Sequence, residues 1–280
     1  MKFSYYPGCS LHSTAAEFSA STEAIFKFLG VKLQELDDWC CCGATSGHSI
    51  NNFLSHALPL YNLILAENNG SDIVVPCAAC YSSLKSAQVF MKSNNSKVTK
   101  LNNHLKVTMG RTYQGQINVY HVLEILNNPQ IQDLLKKHIS KNFNGIPLAS
   151  YYGCLLNRPP KAVSFEDNPE QPKLMDKLLN QVGATPVVWP HKNECCGASL
   201  AISQPKIVEQ LVAKIIGSAK HAGAKAIVTA CPLCQTNLDS RQPQDTDSLP
   251  VFFITEIIGL ALGINSLSWL KKHLIDPIPF

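Results

Sequence analysis

Eleven cysteines stand in an ordered pattern: Cys9, then Cys40-Cys41-Cys42, then Cys77 and Cys80, and much later Cys154, Cys195-Cys196, Cys231 and Cys234. The frame Cys…Cys-Cys-Gly…Cys-x-x-Cys therefore occurs twice, with 34 residues after the adjacent pair in both copies and 31 or 40 before it. Thiolates are soft donors that select zinc, copper(I) or iron–sulfur centres. A structural zinc ion is satisfied by four ligands, so it would leave one thiol over in each copy, as disulfide pairing also would. Five thiols per copy point to a multi-iron centre, with zinc in one site and purely structural thiols as the alternatives. Side chains of adjacent cysteines diverge in an extended strand, and a glycine after them permits the tight turn that aims both inward. Cys77-x-x-Cys80 and Cys231-x-x-Cys234 begin predicted helices, where free N–H groups and the positive dipole end favour thiolate over thiol.

Donors this far apart in sequence need a scaffold that returns them to one place, and the chain shows an internal duplication. Tyr5-Tyr6-Pro7-Gly8-Cys9 is answered by Ser150-Tyr151-Tyr152-Gly153-Cys154, and Cys41-Cys42-Gly43-Ala44 by Cys195-Cys196-Gly197-Ala198. Ile73–Cys80 pairs with Ile227–Cys234, and both this pair and the Cys-Cys pair repeat at an offset of 154 residues. Each copy closes with a similar phrase, Val119–Leu126 against Val251–Ile258. β-Branched or aromatic runs predict strands near 2–6, 33–36, 72–75 and 117–120, then 147–152, 185–189, 225–229 and 251–254. Helical composition lies between them, near 14–29, 48–68, 78–92 and 121–127, then 173–183, 200–222, 232–238 and 255–264. Alternation of this kind implies right-handed crossovers, so each half is expected to be a small α/β unit, a mainly parallel sheet flanked by helices. Ligands of open α/β sheets collect at the carboxyl ends of the strands, which is where every cysteine motif falls. Domains are expected at 1–145 and 146–280. The segment from Asn94 to Gly115, with Lys92, Lys97, Lys100 and Lys106 in or beside it, reads as a solvated excursion, and Ser164 to Pro172 as a loop lengthening the second copy.

Composition narrows the function. The chain has 280 residues, 45% hydrophobic and 16% charged, with a formal net charge of +4, which suits folded domains and argues against a nucleic-acid surface. The most apolar stretch, Val251 to Leu270, is broken by Thr255, Glu256, Asn265 and two serines, so it is not expected to span a bilayer, and Ile257, Ile258, Leu260 and Leu262 are expected to pack on the second sheet. An amphipathic contact through Trp269, Lys271 and Lys272 is the competing expectation. The beginning Met-Lys-Phe-Ser-Tyr-Tyr-Pro-Gly has no apolar h-region, and a cytoplasmic protein, at most peripheral at the inner membrane through a complex, is expected. Phosphate-binding glycine loops, zincin helices and G-x-S-x-G elbows are missing. His12, His48 and His191 lie near the cysteine motifs as solvated or hydrogen-bonded histidines, Glu124 and Glu256 read as helix-start residues, and Trp39 and Trp189 flank the Cys-Cys motifs.

The doubled frame resembles the cysteine-rich CCG-domain proteins, above all the B subunit of heterodisulfide reductase and its bacterial relatives. The likeness runs through Tyr151-Tyr152-Gly153-Cys154, Arg158-Pro159-Pro160, Asp167-Asn168-Pro169 and Gly259-Leu260-Ala261-Leu262-Gly263 and covers essentially the whole chain. It implies two pseudo-symmetric tandem CCG domains and two non-cubane 4Fe–4S clusters. Carried over by motif, Cys9, Cys41, Cys42, Cys77 and Cys80 would bind one, and Cys154, Cys195, Cys196, Cys231 and Cys234 the other. Cys40 departs from the frame, since Glu194 stands at the matching place, and is expected to be a bystander. The resemblance also implies an electron-transfer subunit of a heterodisulfide-reductase-like complex, in which two clusters serve a disulfide lying between them. Related subunits occur in non-classical succinate or fumarate reductases that exchange electrons with quinone. With no flavin or nicotinamide motif in this chain, electrons are expected to come from other iron–sulfur and flavoprotein subunits. A zinc scaffold without redox activity is the remaining alternative.

Overall fold

The computed structural model describes residues 1–93, 96–242, 248–264 and 267–277. Two four-stranded sheets carry the architecture. The first contains β1 (Lys2–Tyr5), β2 (Lys32–Glu35), β3 (Ile73–Val75) and β4 (Val119–His121) in the order β2-β1-β3-β4. The second contains β5 (Pro147–Tyr151), β6 (Thr185–Pro186), β7 (Ala226–Thr229) and β8 (Val251–Phe253) in the order β6-β5-β7-β8. Every pairing is parallel. Strands β3 and β7 are buried along their whole length, as expected of parallel strands covered by helices on both faces, and this is why they read as unbroken apolar runs. The helices Ala16–Phe28, Leu54–Asn68 and Ala78–Met91 connect the first four strands, and Leu174–Gln181, Pro205–His221 and Pro232–Ser240 the second four.

The halves meet through helices. Ala16–Phe28 lies against Ile254–Ala261, with the Phe18 ring stacked on Phe253 at 4.2 Å and Ser21 Oγ 2.6 Å from Thr255 Oγ1. Ala78–Met91 lies against the short helix Pro160–Val163, where the Tyr81 hydroxyl donates to the Val163 carbonyl at 3.1 Å.

Some elements depart from the sequence expectation. The excursion expected over 94–115 contains a helix, Ser96–Met109, because Leu101 and Leu105 lie one turn apart and bury a narrow stripe while its lysines stay in solvent. A further helix, Pro129–His138, had no counterpart in the expectation; the Asn128 side chain caps it by accepting from Gln130 N at 3.0 Å. The helix expected over 48–68 is split at Asn51, which is extended, and the one expected from 200 begins at Pro205 after a single tight turn, Ala198–Leu200. Only two residues of the strand expected over 185–189 pair with β5.

The segment after the last strand packs as expected. Ile257, Ile258 and Leu262 are buried, and Leu260 is packed against the same core. Trp269 is buried on Gly259, whose absent Cβ would come within 2.7 Å of the indole, so the tryptophan is spent on the protein interior. Among the described residues, no helix is long and apolar enough to cross a membrane. Glu124 and Glu256 do open helices: their carboxylates accept from His121 N at 2.7 Å and Phe253 N at 2.8 Å. Glu256 also meets His273 at 3.0 Å, and the Asp239 carboxylate accepts from Leu274 N and Ile275 N, which fastens the C-terminal segment.

Burial alone would lower the His273 pKa, but its bond to Glu256 and the charges of Asp239 and Glu17 raise it above the ordinary value. A raised folded pKa stabilises below the unfolded value and loses that contribution as pH climbs through the folded one. Glu17, raised by burial, acts in the same direction from a lower starting pH. Thermal stability is therefore expected to decline as pH rises above about 6.5, and His273→Gln to flatten that decline in a melting series. An unchanged slope in the variant would show that other groups carry it.

Candidate functional site

Both cysteine sets sit at the carboxyl edges of the sheets and are assembled by matching contacts. After β1 the chain turns at Gly8 (φ +70°), and after β5 at Gly153 (φ +65°), placing Cys9 and Cys154 next in each turn. A Cβ on these glycines would lie 2.8 Å from Cys80 Sγ and 2.9 Å from Cys234 Sγ, so the backbone passes where only glycine fits. Cys42 Sγ is 3.2 Å from Cys80 Sγ, and Cys196 Sγ is 3.6 Å from Cys234 Sγ. The following glycines, Gly43 and Gly197, are also left-handed and direct their N–H groups back to Cys41 Sγ and Cys195 Sγ at 3.5 and 3.3 Å.

The peptides around the adjacent pair are held in the same way in both halves. Tyr6 OH donates to Cys40 O at 2.7 Å, and Tyr151 OH to Glu194 O at 2.6 Å. Ser83 Oγ donates to Cys42 O at 2.9 Å, and Asn237 Nδ2 to Cys196 O at 3.1 Å. These four residues were not singled out by sequence reasoning. Their signal was register: each tyrosine stands three residues before the first cysteine of its copy, and Ser83 and Asn237 stand three after the last.

In each half three thiols are buried and the others reach solvent: Cys42, Cys77 and Cys80 against Cys9 and Cys41, and Cys196, Cys231 and Cys234 against Cys154 and Cys195. Cys77 and Cys231 precede the first residues of their helices. Hydrogen bonds from Cys41 and Cys80 push the Cys42 thiol well below its usual range, while Cys80, giving its hydrogen away, is pushed up. In the second half the bond from Cys154 lowers Cys195 to about 6. Cys231 is lowered by the Cys234 thiol and by N–H groups of Cys234, Leu233 and, from the first half, Ala78. The same sulfur–sulfur bonds push Cys41, Cys154 and Cys234 up, so within each set one thiol is favoured as thiolate at its neighbour's expense. Thiols in this density are soft donors suited to a metal centre.

Cys40 is held by partners of its own. Its Sγ faces the carbonyls of Cys41 at 3.6 Å and Leu58 at 3.8 Å, and Asn62 clamps its backbone from both sides.

All five cysteines of the second set line a cavity of about 180 Å³, together with Ala44 and Thr45 and the helix-start residues Ala78 and Ala79, which neighbour the first set in sequence. Among the described residues no three such donors close around one point as ligands of a single ion would. Of the neighbouring histidines, half-exposed His12 pairs with Glu35 at 3.0 Å and stands edge-on to Trp39, and His191 bonds Ser218 Oγ at 2.8 Å; the His48 side chain lies outside the described residues. Trp39 also packs edge-on to Tyr6, and Trp189 is buried, donating to Ser150 O at 3.1 Å.

The cysteine-rich domain named CCG matches twice, over residues 3–85 and 148–239. The chain belongs to the CCG family. Proteins similar to it include B subunits of heterodisulfide reductase and a fumarate reductase subunit. It is 30% identical over 269 residues to the 8-methylmenaquinol:fumarate reductase membrane anchor subunit of Wolinella succinogenes, covering 94% of this chain and 93% of that one. It is 30% identical over 273 residues to the B subunit of the ferredoxin/F(420)H(2)-dependent CoB-CoM heterodisulfide reductase of Methanosarcina acetivorans, covering 94% and 90%. A protein of Archaeoglobus profundus named as like the heterodisulfide reductase B subunit is 28% identical, covering 95% and 92%. Among solved structures, a hypothetical protein from Helicobacter pylori shares the fold, with a TM-score of 0.74 and 15% identity over 98% of this CCG chain; the chain spans 52% of that protein.

Proposed function

We propose that this CCG protein is an iron–sulfur electron-transfer subunit of a heterodisulfide-reductase-like complex. It is built as one domain over 1–145 and a second over 146–280. Cys9, Cys41, Cys42, Cys77 and Cys80 hold one non-cubane 4Fe–4S cluster, and Cys154, Cys195, Cys196, Cys231 and Cys234 hold the other. The observation that carries this reading is the pair of matched five-thiol sets, one of which lines a cavity together with Ala44, Thr45, Ala78 and Ala79, sequence neighbours of the other. The donor set fits: thiols only, with Gly8 and Gly153 standing where a side chain would run into the sulfurs of Cys80 and Cys234. A zinc ion would leave a fifth thiol idle in each half.

Clusters of this kind supply electrons singly, and a disulfide needs two electrons and two protons to become two thiols. The chain's own part is to place two sites on one cleft. Tyr6, Tyr151, Ser83 and Asn237 fix the cysteine peptides, and Gly8 and Gly153 let the first cysteine of each set approach the last. Other redox subunits supply the electrons, and the protein works on the cytoplasmic side, at most peripheral to a membrane.

The Wolinella relative favours a second reading, an iron–sulfur subunit exchanging electrons with a quinol. Anaerobically prepared holoprotein, reduced by a low-potential donor, is expected to convert a mixed disulfide into two thiols at two electrons per bond broken. Oxidation of a short-chain menaquinol with the disulfide left intact would transfer the assignment to the second reading.

A further inference from the structure

His121 is the last residue of β4 and is fully buried between the halves. Its Nδ1 accepts from Leu123 N at 3.3 Å, so the ring proton is on Nε2. Nε2 lies 2.7 Å from Pro76 O and 3.2 Å from Ala230 O, donating to both. Pro76 immediately precedes Cys77, and Ala230 immediately precedes Cys231. One imidazole therefore ties together the two Cys-x-x-Cys turns, which are 154 residues apart in sequence. The ring is held on two sides, near-parallel to Phe165 of the second half at 6.0 Å and edge-on to Tyr81 of the first at 5.6 Å. Burial keeps it neutral, with its pKa pushed down to about 4, so the bridge persists at ordinary pH.

This is a break in the internal symmetry. Val75 pairs with His121 in the first sheet, and Thr229 pairs with Phe253 in the second, so the matching position has no hydrogen to give and stacks on Phe18 instead. The same junction brings the Ala78 N–H of the first turn to the Cys231 thiol of the second. The second half's long loop, which lengthens its cysteine spacing, supplies Phe165 at this junction, and the helix just before it supplies the carbonyl that receives Tyr81.

We propose that His121 is a positioning residue that fixes the two Cys-x-x-Cys turns at one separation, and with it the spacing of the two metal centres. The bridging of the turns stands on the geometry alone, whereas the consequence for the centres rests on the cluster reading above. Two measurements keep these apart.

The first is amide hydrogen exchange of the full chain at Tyr81 and Gln235, whose N–H groups bond Cys77 O and Cys231 O. His121→Phe, which copies the residue at the matching position, is expected to speed exchange about tenfold at both amides, the scale of one lost buried hydrogen bond. His121→Gln, which restores a donor, is expected to return both toward the parent rate. Loosening confined to Tyr81 would overturn the bridge, because a residue serving only its own half would produce that. If His121→Phe does not fold, His121→Gln decides alone: parent-like protection of both amides supports the bridge, and loss at Tyr81 only refutes it.

The second is the spin–spin splitting between the two reduced centres in electron paramagnetic resonance of the iron-loaded protein. His121→Phe is expected to keep its iron but broaden or lose that splitting, and His121→Gln to recover it. A full iron load with unchanged splitting would refute the claim about spacing. Parent protein that takes up no iron would defeat the cluster reading and leave the exchange result standing.

Discussion

Cys195→Ser is expected to cost the protein about four irons and leave the other half's signal in place. Cys41→Ser should do the mirror image. Each five-thiol set closes within one half, with sulfur–sulfur contacts of 3.2 Å and 3.6 Å inside the sets. Serine keeps the size of the side chain but loses the soft thiolate that selects iron–sulfur. Cys40→Ser is the internal control: its sulfur faces two backbone carbonyls, and the variant should hold the parent iron content. Iron and acid-labile sulfide analysis, with spectra of each variant, reads all three. A whole cluster lost in Cys40→Ser would replace the choice of Cys41 and Cys42.

Gly8→Ala and Gly153→Ala are expected to abolish metal binding in their own halves. At φ +70° and +65° an alanine strains the backbone, by about 1–2 kcal/mol. Its Cβ would also come within 2.8 Å of Cys80 Sγ or 2.9 Å of Cys234 Sγ, both fixed in buried surroundings. Gly30 separates the two costs. It has φ +71° with nothing within 4 Å of the place a methyl group would take, so Gly30→Ala carries the backbone strain alone. It should lower the melting temperature slightly and keep all its iron. Equal iron loss in Gly30→Ala and Gly8→Ala would mean that general destabilisation, not contact with the sulfur, empties the site.

What could be read from the sequence was what repeats. The Cys-Cys and Cys-x-x-Cys pairs and the apolar run before the latter recur at an offset of 154 residues, and a parallel sheet needs such runs in strands like Ile73–Val75 and Ala226–Thr229, buried on both faces. That is enough to place ten thiols at two sheet edges. The supporting residues were harder to see because their chemistry differs between copies: Ser83 and Asn237 do one task with different groups. His121 was hidden for the opposite reason, since its counterpart Phe253 keeps the strand pattern but not the hydrogen bond. The helix Ser96–Met109 escaped because two buried leucines on a polar background give little periodicity. The loop over 164–172 reads as a spacer by composition, yet Glu166 accepts from Lys173 N and Leu174 N at the start of the next helix and Phe165 packs on His121.

The most direct test of the account is the metal content of the full-length protein purified without oxygen. Two five-cysteine sites each holding a 4Fe–4S cluster predict about eight irons, matched by acid-labile sulfide, with no stoichiometric zinc. Four irons with one zinc would show that one set has another use, and protein that carries no iron under those conditions would contradict the account.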